Sequence, residues 1–155
     1  MKKIKLYLDT SVISALDDPQ KPERMQETWV FWNDIKASKF DVVISSVLVR
    51  EIDRCRQPKR EKLYEFLSTI EYEKVEEDNE IKSISDYIIS LGILTKKSRN
   101  DSLHIACAII SSCNYIVSWN FKHLVNIKTV SGVRAITNLK GYNTIDIIAP
   151  PSVNI

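Results

Sequence analysis

Apolar residues fall into two patterns along this chain, short continuous runs and longer stretches with helical spacing. The short runs are Ile4–Leu8, Val42–Ile44, Tyr115–Val117 and Ile145–Ile148. Each stops at a polar or turn-forming group: Asp9-Thr10-Ser11, Ser45-Ser46, Ser118-Trp119-Asn120 and Pro150-Pro151 respectively. Runs of this length, with little alternation, predict buried strands of a parallel sheet. Helical spacing covers Glu23–Ala37, Ser46–Cys55, Lys59–Ile70, Glu80–Leu91 and Asn100–Cys113, with a less regular stretch at Val130–Leu139. Strand and helix therefore alternate. That order predicts an α/β fold, a three-layer α/β/α domain with a central parallel sheet, helices on both faces and right-handed crossovers.

Composition narrows the picture modestly. A chain of 155 residues suits one domain over residues 1–155, and 44% hydrophobic with 27% charged residues is ordinary for a globular protein. The net charge of +2 is too small to imply a polyanion partner by itself. Two local clusters, Arg54, Arg56, Lys59, Arg60 and Lys62 in one and Lys96, Lys97 and Arg99 in the other, suit either solvated surfaces or a track for phosphates. The three glycines form no phosphate-cradling loop, and no repeat or linker interrupts the chain. Cys55, Cys107 and Cys113 are odd in number and lack Cys-x-x-Cys spacing, which suits a reducing compartment. No apolar stretch reaches membrane-spanning length, and a cytoplasmic protein is expected.

In open parallel sheets, ligands bind beyond the carboxyl ends of the strands. Asp9 stands there after the first run, Ser45 and Ser46 after the second, and Ser118 and Asn120 after the third. Asp9 also suits a helix N-cap, and its place alone does not separate the two roles. Glu51 lies on the apolar face of its helix, one turn after Val47 and one before Cys55, so it points inward and needs a partner. An arginine or a metal ion would serve. Asp101 opens a helix that is apolar nearly all round, where an acid also favours the helix dipole. Taken together, the three acids reach the same end of the sheet from different segments. Converging carboxylates repel one another, and a hard cation, Mg²⁺ or Mn²⁺, relieves that repulsion while activating water against a phosphate. The reaction this predicts is phosphodiester hydrolysis.

Three segments carry a family resemblance. Leu6-Tyr7-Leu8-Asp9-Thr10-Ser11-Val12-Ile13, Val49-Arg50-Glu51-Ile52 and Asn100-Asp101-Ser102-Leu103-His104-Ile105-Ala106, in that order and spacing, resemble motifs of the PIN-domain family, which includes the VapC-type toxins of toxin–antitoxin pairs. The fourth family motif has Thr or Ser, one intervening residue, Asp or Asn, and often a further acid. Here it reads Ser118-Trp119-Asn120-Phe121-Lys122-His123-Leu124, with His123 where that acid often stands. The lower negative charge implies one tightly held ion, with a second recruited by the substrate phosphate. By the resemblance, Asp9 and Asp101 bind the metal, and Glu51 binds it or orients and deprotonates its water. Asn120 holds a water or substrate oxygen, and Ser11 and Ser118 add supporting hydrogen bonds. The resemblance further implies an endoribonuclease acting on RNA, homodimers, and sometimes a small antitoxin whose tail blocks the site.

His104 and His123 are the only histidines, lie in different motifs and lack metal-ligand spacing, so both are expected as structural or rim residues. Trp29 and Trp32, three residues apart on a helix, suit core or dimer packing; Trp119, beside the acids, is a candidate platform for an unpaired base. An aspartyl phosphatase would need a second Asp where Ser11 stands, and a receiver domain would need further acids and a lysine that do not appear. The competing expectation is an inactive PIN-like RNA-binding or scaffold module.

Overall fold

The structure is a computed structural model and describes residues 2–153. Five parallel strands, β1 (Lys5–Leu8), β2 (Asp41–Ser45), β3 (Glu73–Val75), β4 (Tyr115–Val117) and β5 (Asp146–Ile148), form one sheet in the order β3-β2-β1-β4-β5. The connections carry α1 (Thr10–Ala15), α2 (Pro22–Lys36), α3 (Ser46–Asp53), α4 (Lys59–Leu67), α5 (Asn79–Ser90), α6 (Arg99–Ile110) and α7 (Ile127–Lys140). The chain adopts the expected α/β architecture.

The continuous apolar runs have a direct cause in the layering. Side chains alternate across the pleat, so Leu6, Leu8, Val42, Ile44 and Val117 meet residues of α1 to α4 such as Val12, Trp32, Ile52 and Leu63. Tyr7, Val43, Ile116 and Ile147 meet α5 to α7 through Ile88, Ile109 and Val133. Both faces are covered, so both sets of alternating positions are apolar.

Two elements were not legible as such. Strand β3 has Val75 as its one apolar residue, because it is an edge strand with its side chains largely in water, where Glu73 and Lys74 discourage further pairing. Helix α1 is six residues long, too short for its buried Val12, Ile13 and Ala15 to show a helical period. Helix α7 extends past Val130–Leu139 at both ends. Asn126 caps its start by accepting from the Thr129 N–H at 2.9 Å, and Gly141, at φ 74°, ends it in the left-handed conformation.

The topology fixes where a site can form. From β1 the chain winds outward through β2 to β3, with α1 to α4 on one face, then returns to β4 on the other flank of β1, with α5 to α7 on the opposite face. The helices that follow neighbouring β1 and β4 therefore leave toward opposite faces. In sheets of this kind, such a switch point is where a ligand crevice forms, between the two carboxyl ends.

Candidate active site

Register brings the first two residues together. Leu8 pairs with Val117, so Asp9 and Ser118 leave the ends of β1 and β4 side by side at that crevice. Ser118 Oγ donates to Asp9 Oδ2 at 2.8 Å, and Ser11 Oγ donates to Oδ1 at 2.5 Å. Asp9 occupies the N-cap position of α1, yet its side chain makes no capping bond. Of its two candidate roles, capping is thus the one not exercised. Burial pushes its carboxyl pKa upward, against the lowering effects of His104 and the two serines.

Glu51 is held from two directions. Ser45 caps α3, its Oγ accepting from the Leu48 N–H at 3.3 Å, and Glu51 follows more than a turn later on the inner side. Its Oε1 accepts from Thr10 Oγ1 at 2.7 Å and from His104 Nε2 at 2.5 Å. His104 Nδ1 lies 2.6 Å from the Tyr7 hydroxyl, which lies 2.7 Å from Ser45 Oγ. A hydrogen-bonded chain therefore runs Ser45–Tyr7–His104–Glu51–Thr10 and ties together β2, β1, α6, α3 and α1. Burial raises the Glu51 pKa, but His104, Thr10 and Arg50 outweigh it and the net shift is downward. For His104, burial works against the charged form, while the bond to Glu51 and the charges of Glu51, Asp9 and Asp101 prevail and raise its pKa.

Of the two places expected for His104, structural or rim, it takes the first: it is 1% exposed and hydrogen-bonded to Tyr7 and Glu51, and the charges of all three carboxylates act on it. The signal was available in its spacing, since Asp101 and His104 stand at i and i+3 and share one face of α6.

Asp101 lies in the first turn of α6, after the N-cap residue Ser98. Its Oδ2 is 2.9 Å from His123 Nδ1, and Asn120 Nδ2 donates to its Oδ1 at 3.5 Å. Asn120 Oδ1 in turn accepts from the His123 N–H at 3.0 Å. Both distinctive residues of the fourth motif therefore converge on Asp101. Burial raises the Asp101 pKa and Glu51 adds to the rise, with His104 and His123 opposing it.

Among the described residues, no group of three or more His, Cys, Asp or Glu side chains stands arranged to hold a metal ion. The acids are engaged instead, Asp9 by two serines, Glu51 by His104 and Thr10, Asp101 by His123 and Asn120. In kind, the donors still suit a hard cation, because Mg²⁺ is commonly bound by one or two carboxylates, with water and substrate phosphate completing its shell. Asp9 and Asp101, each with a pKa raised by burial, are desolvated carboxylates whose charge such a cation would offset.

The tryptophans divide by burial. Trp32 is fully buried and Trp29 donates from Nε1 to the Leu16 carbonyl at 2.9 Å, so both pack within the fold. Trp119 is 9% exposed and donates from Nε1 to Thr28 Oγ1 at 2.9 Å. It is committed to α2 and offers no open face to a base. Phe121, two residues on, is 47% exposed. The described helices include none long and apolar enough to cross a membrane.

No family model and no curated protein matches the chain. Among solved structures, it is similar to a chain of VapBC2 from Rickettsia felis, in a complex bound to a DNA fragment from their promoter. The match has a TM-score of 0.56 at 14% identity, and covers 94% of this chain and 98% of that one. At that identity the likeness speaks for the fold, a PIN-like α/β domain with an all-parallel central sheet.

Proposed function

We propose that this chain is a metal-dependent endoribonuclease acting at Asp9, Glu51 and Asp101. One observation carries the reading: carboxylates from the end of β1, from α3 and from α6 act together on a single buried imidazole in the crevice where ligands of such sheets bind. Asp9 and Asp101 would hold Mg²⁺ or Mn²⁺, which supplies a Lewis acid for a phosphate oxygen and a water of lowered pKa. Glu51, with its pKa lowered, is ionised and able to accept a proton from the attacking water. Thr10 and His104 fix it through Oε1, leaving Oε2 without a partner among the described residues. Asn120 holds a substrate oxygen, and Ser11 and Ser118 orient Asp9.

The motif resemblance to VapC-type toxins, joined with the fold shared with a chain of VapBC2, supports a cytoplasmic toxin of a type II pair. In that role the chain forms a homodimer and a small antitoxin covers the site. The test is cleavage of a mixed pool of single-stranded and transfer RNA with Mg²⁺ or Mn²⁺, against an EDTA control and Asp101→Asn. We expect metal-dependent cleavage that the substitution lowers by at least about 10²-fold.

A second reading, an inactive RNA-binding or scaffold module, draws on a specific observation: the two histidines and Asn120 already occupy Glu51 and Asp101, and among the described residues no three-ligand group is assembled. Mn²⁺ discriminates between the two. Binding to the folded state raises the melting temperature of an active site and leaves that of a scaffold unchanged.

A further inference from the structure

Beyond the acids, the loop after β4 presents an aromatic and cationic surface that the chemistry above does not use. Phe121 packs edgewise on Trp119, with ring centroids 6.1 Å apart and planes at 64°. The guanidinium of Arg24, in the first turn of α2, sits 4.7 Å from the Trp119 ring centroid and 5.7 Å from that of Phe121. Among the described residues, Arg24 makes no side-chain hydrogen bond or ion pair. A cation held against rings without a carboxylate partner is free to meet an anion.

A single exposed phenylalanine is ordinary on a protein surface. This one differs in how it is held and where. The Asn126 amide donates to the carbonyls of Phe121 and Lys122 at 3.2 and 3.0 Å, Thr129 Oγ1 donates to the His123 carbonyl at 2.7 Å, and Trp119 is anchored to Thr28. The ring therefore sits on a pinned turn, immediately after the residue that touches Asp101. Stacking on an aromatic face suits any unpaired base, and a neighbouring arginine suits the phosphate attached to it.

Resting on the nuclease reading for its substrate, we propose that Phe121 and Arg24 form a subsite for an unpaired nucleotide flanking the scissile phosphate. Phe121 stacks the base and Arg24 takes the adjoining phosphate. The site then prefers single-stranded RNA, because a paired base inside a duplex cannot present its face to the ring.

The experiment measures binding of a fluorescent, uncleavable 2′-O-methyl RNA of mixed sequence, single-stranded or annealed to its complement, in EDTA. Leaving out metal separates this subsite from the acids. We expect Phe121→Ala to weaken single-strand binding by about fivefold or more and Phe121→Trp to restore it. Duplex binding should be unchanged by either. Arg24→Ala should also weaken single-strand binding and reduce its salt dependence by about one phosphate contact. Single-strand binding within twofold of wild type for a Phe121→Ala protein of unchanged melting temperature overturns the proposal, as does equal weakening for single strand and duplex, or a wild type that binds no single strand. If binding behaves as expected while the wild type cleaves nothing with either metal, the nuclease reading fails and the stacking subsite stands.

Discussion

The two ends of the sheet make opposite use of charge. At the amino end, a groove of about 660 Å³ is lined by Lys2, Lys3, Lys5, Asp41, Glu71 and Glu73 among others. Its cations and acids meet water and one another; Lys5 and Glu73 pair at 3.4 Å with the Glu73 side chain 63% exposed. At the carboxyl end, Asp9, Ser45, His104 and Ser118 are buried, and every side-chain nitrogen or oxygen so enclosed among the described residues has a partner. Cavity volume points to the first end, whereas desolvated and coupled charge points to the second. Solvated charges of mixed sign cost little and imply little, while buried ones are expensive and persist where other interactions hold them. That cost is why we place the chemistry at the carboxyl end, where the charged and polar groups are buried.

The largest effect should come from testing function at both ends. Glu51→Gln keeps the shape and removes the proton acceptor, so cleavage of the RNA pool should fall by about 10²-fold or more. Lys3→Ala and Glu73→Ala should leave the rate within about twofold of wild type. An equal loss from the amino-end variants would break the comparison. Next comes stability. His104→Ala removes a buried imidazole and leaves the Tyr7 hydroxyl and Glu51 Oε1 each short of a partner, at a combined cost of about 3 kcal/mol in urea unfolding. Lys3→Ala, on the solvated side, should fall within about 0.5 kcal/mol.

Much of this contrast was legible in the sequence, and the gaps have physical causes. Four strand runs and six helical stretches could be read because burial on both faces imposes apolar side chains at successive positions. Strand β3 escaped because an edge strand owes its pairing to backbone groups and its side chains to water. Glu51 stood out as an acid on an apolar helix face, and the structure gives it a buried partner in His104. His104 was legible as a structural residue, but its link to Glu51 was not. Its spacing from Asp101 marks the shared helix face, but its bonded partners Tyr7 and Glu51 lie 97 and 53 residues away in sequence, where no spacing shows them. Trp119, the expected stacking platform, is anchored inside while Phe121 is exposed, since residues two apart in a loop carry no period from which exposure follows.

The coupled pair also gives the carboxyl end a pH signature that the amino end should lack. His104 has a raised pKa, so its contribution is full below the ordinary imidazole value near 6.5 and is lost as pH rises through the folded value. Glu51 has a lowered pKa, so its contribution is full above the ordinary carboxylate value and is lost as pH falls through its folded value. The stability difference between wild type and His104→Gln, measured by urea unfolding across pH 3 to 9, should therefore peak between the two ordinary values. It should shrink on both sides by part of the His104→Ala cost. A difference independent of pH would mean that packing alone, and not the ion pair, sets the value of His104.

The smallest effect has the opposite sign and tests most directly whether the carboxyl end is adapted for function at the expense of stability. Burial raises the Asp9 pKa, so the folded state holds that proton more tightly than the unfolded state does. Ionised Asp9 then lowers stability at neutral pH, and the penalty fades as pH falls through its raised value toward the ordinary one. Asp9→Asn removes the charge while Ser11 and Ser118 can still bond to the amide, so the metal-free variant should be more stable than wild type by about 0.5 to 1 kcal/mol at pH 7. The gain should vanish in acid, where wild-type Asp9 is itself neutral. Adding Mn²⁺ should reverse the order, raising the melting temperature of wild type and not of the variant. Should Asp9→Asn instead be less stable than wild type without metal, the carboxylate is a structural acceptor for the two serines, and the contrast between the ends of the sheet is one of packing alone.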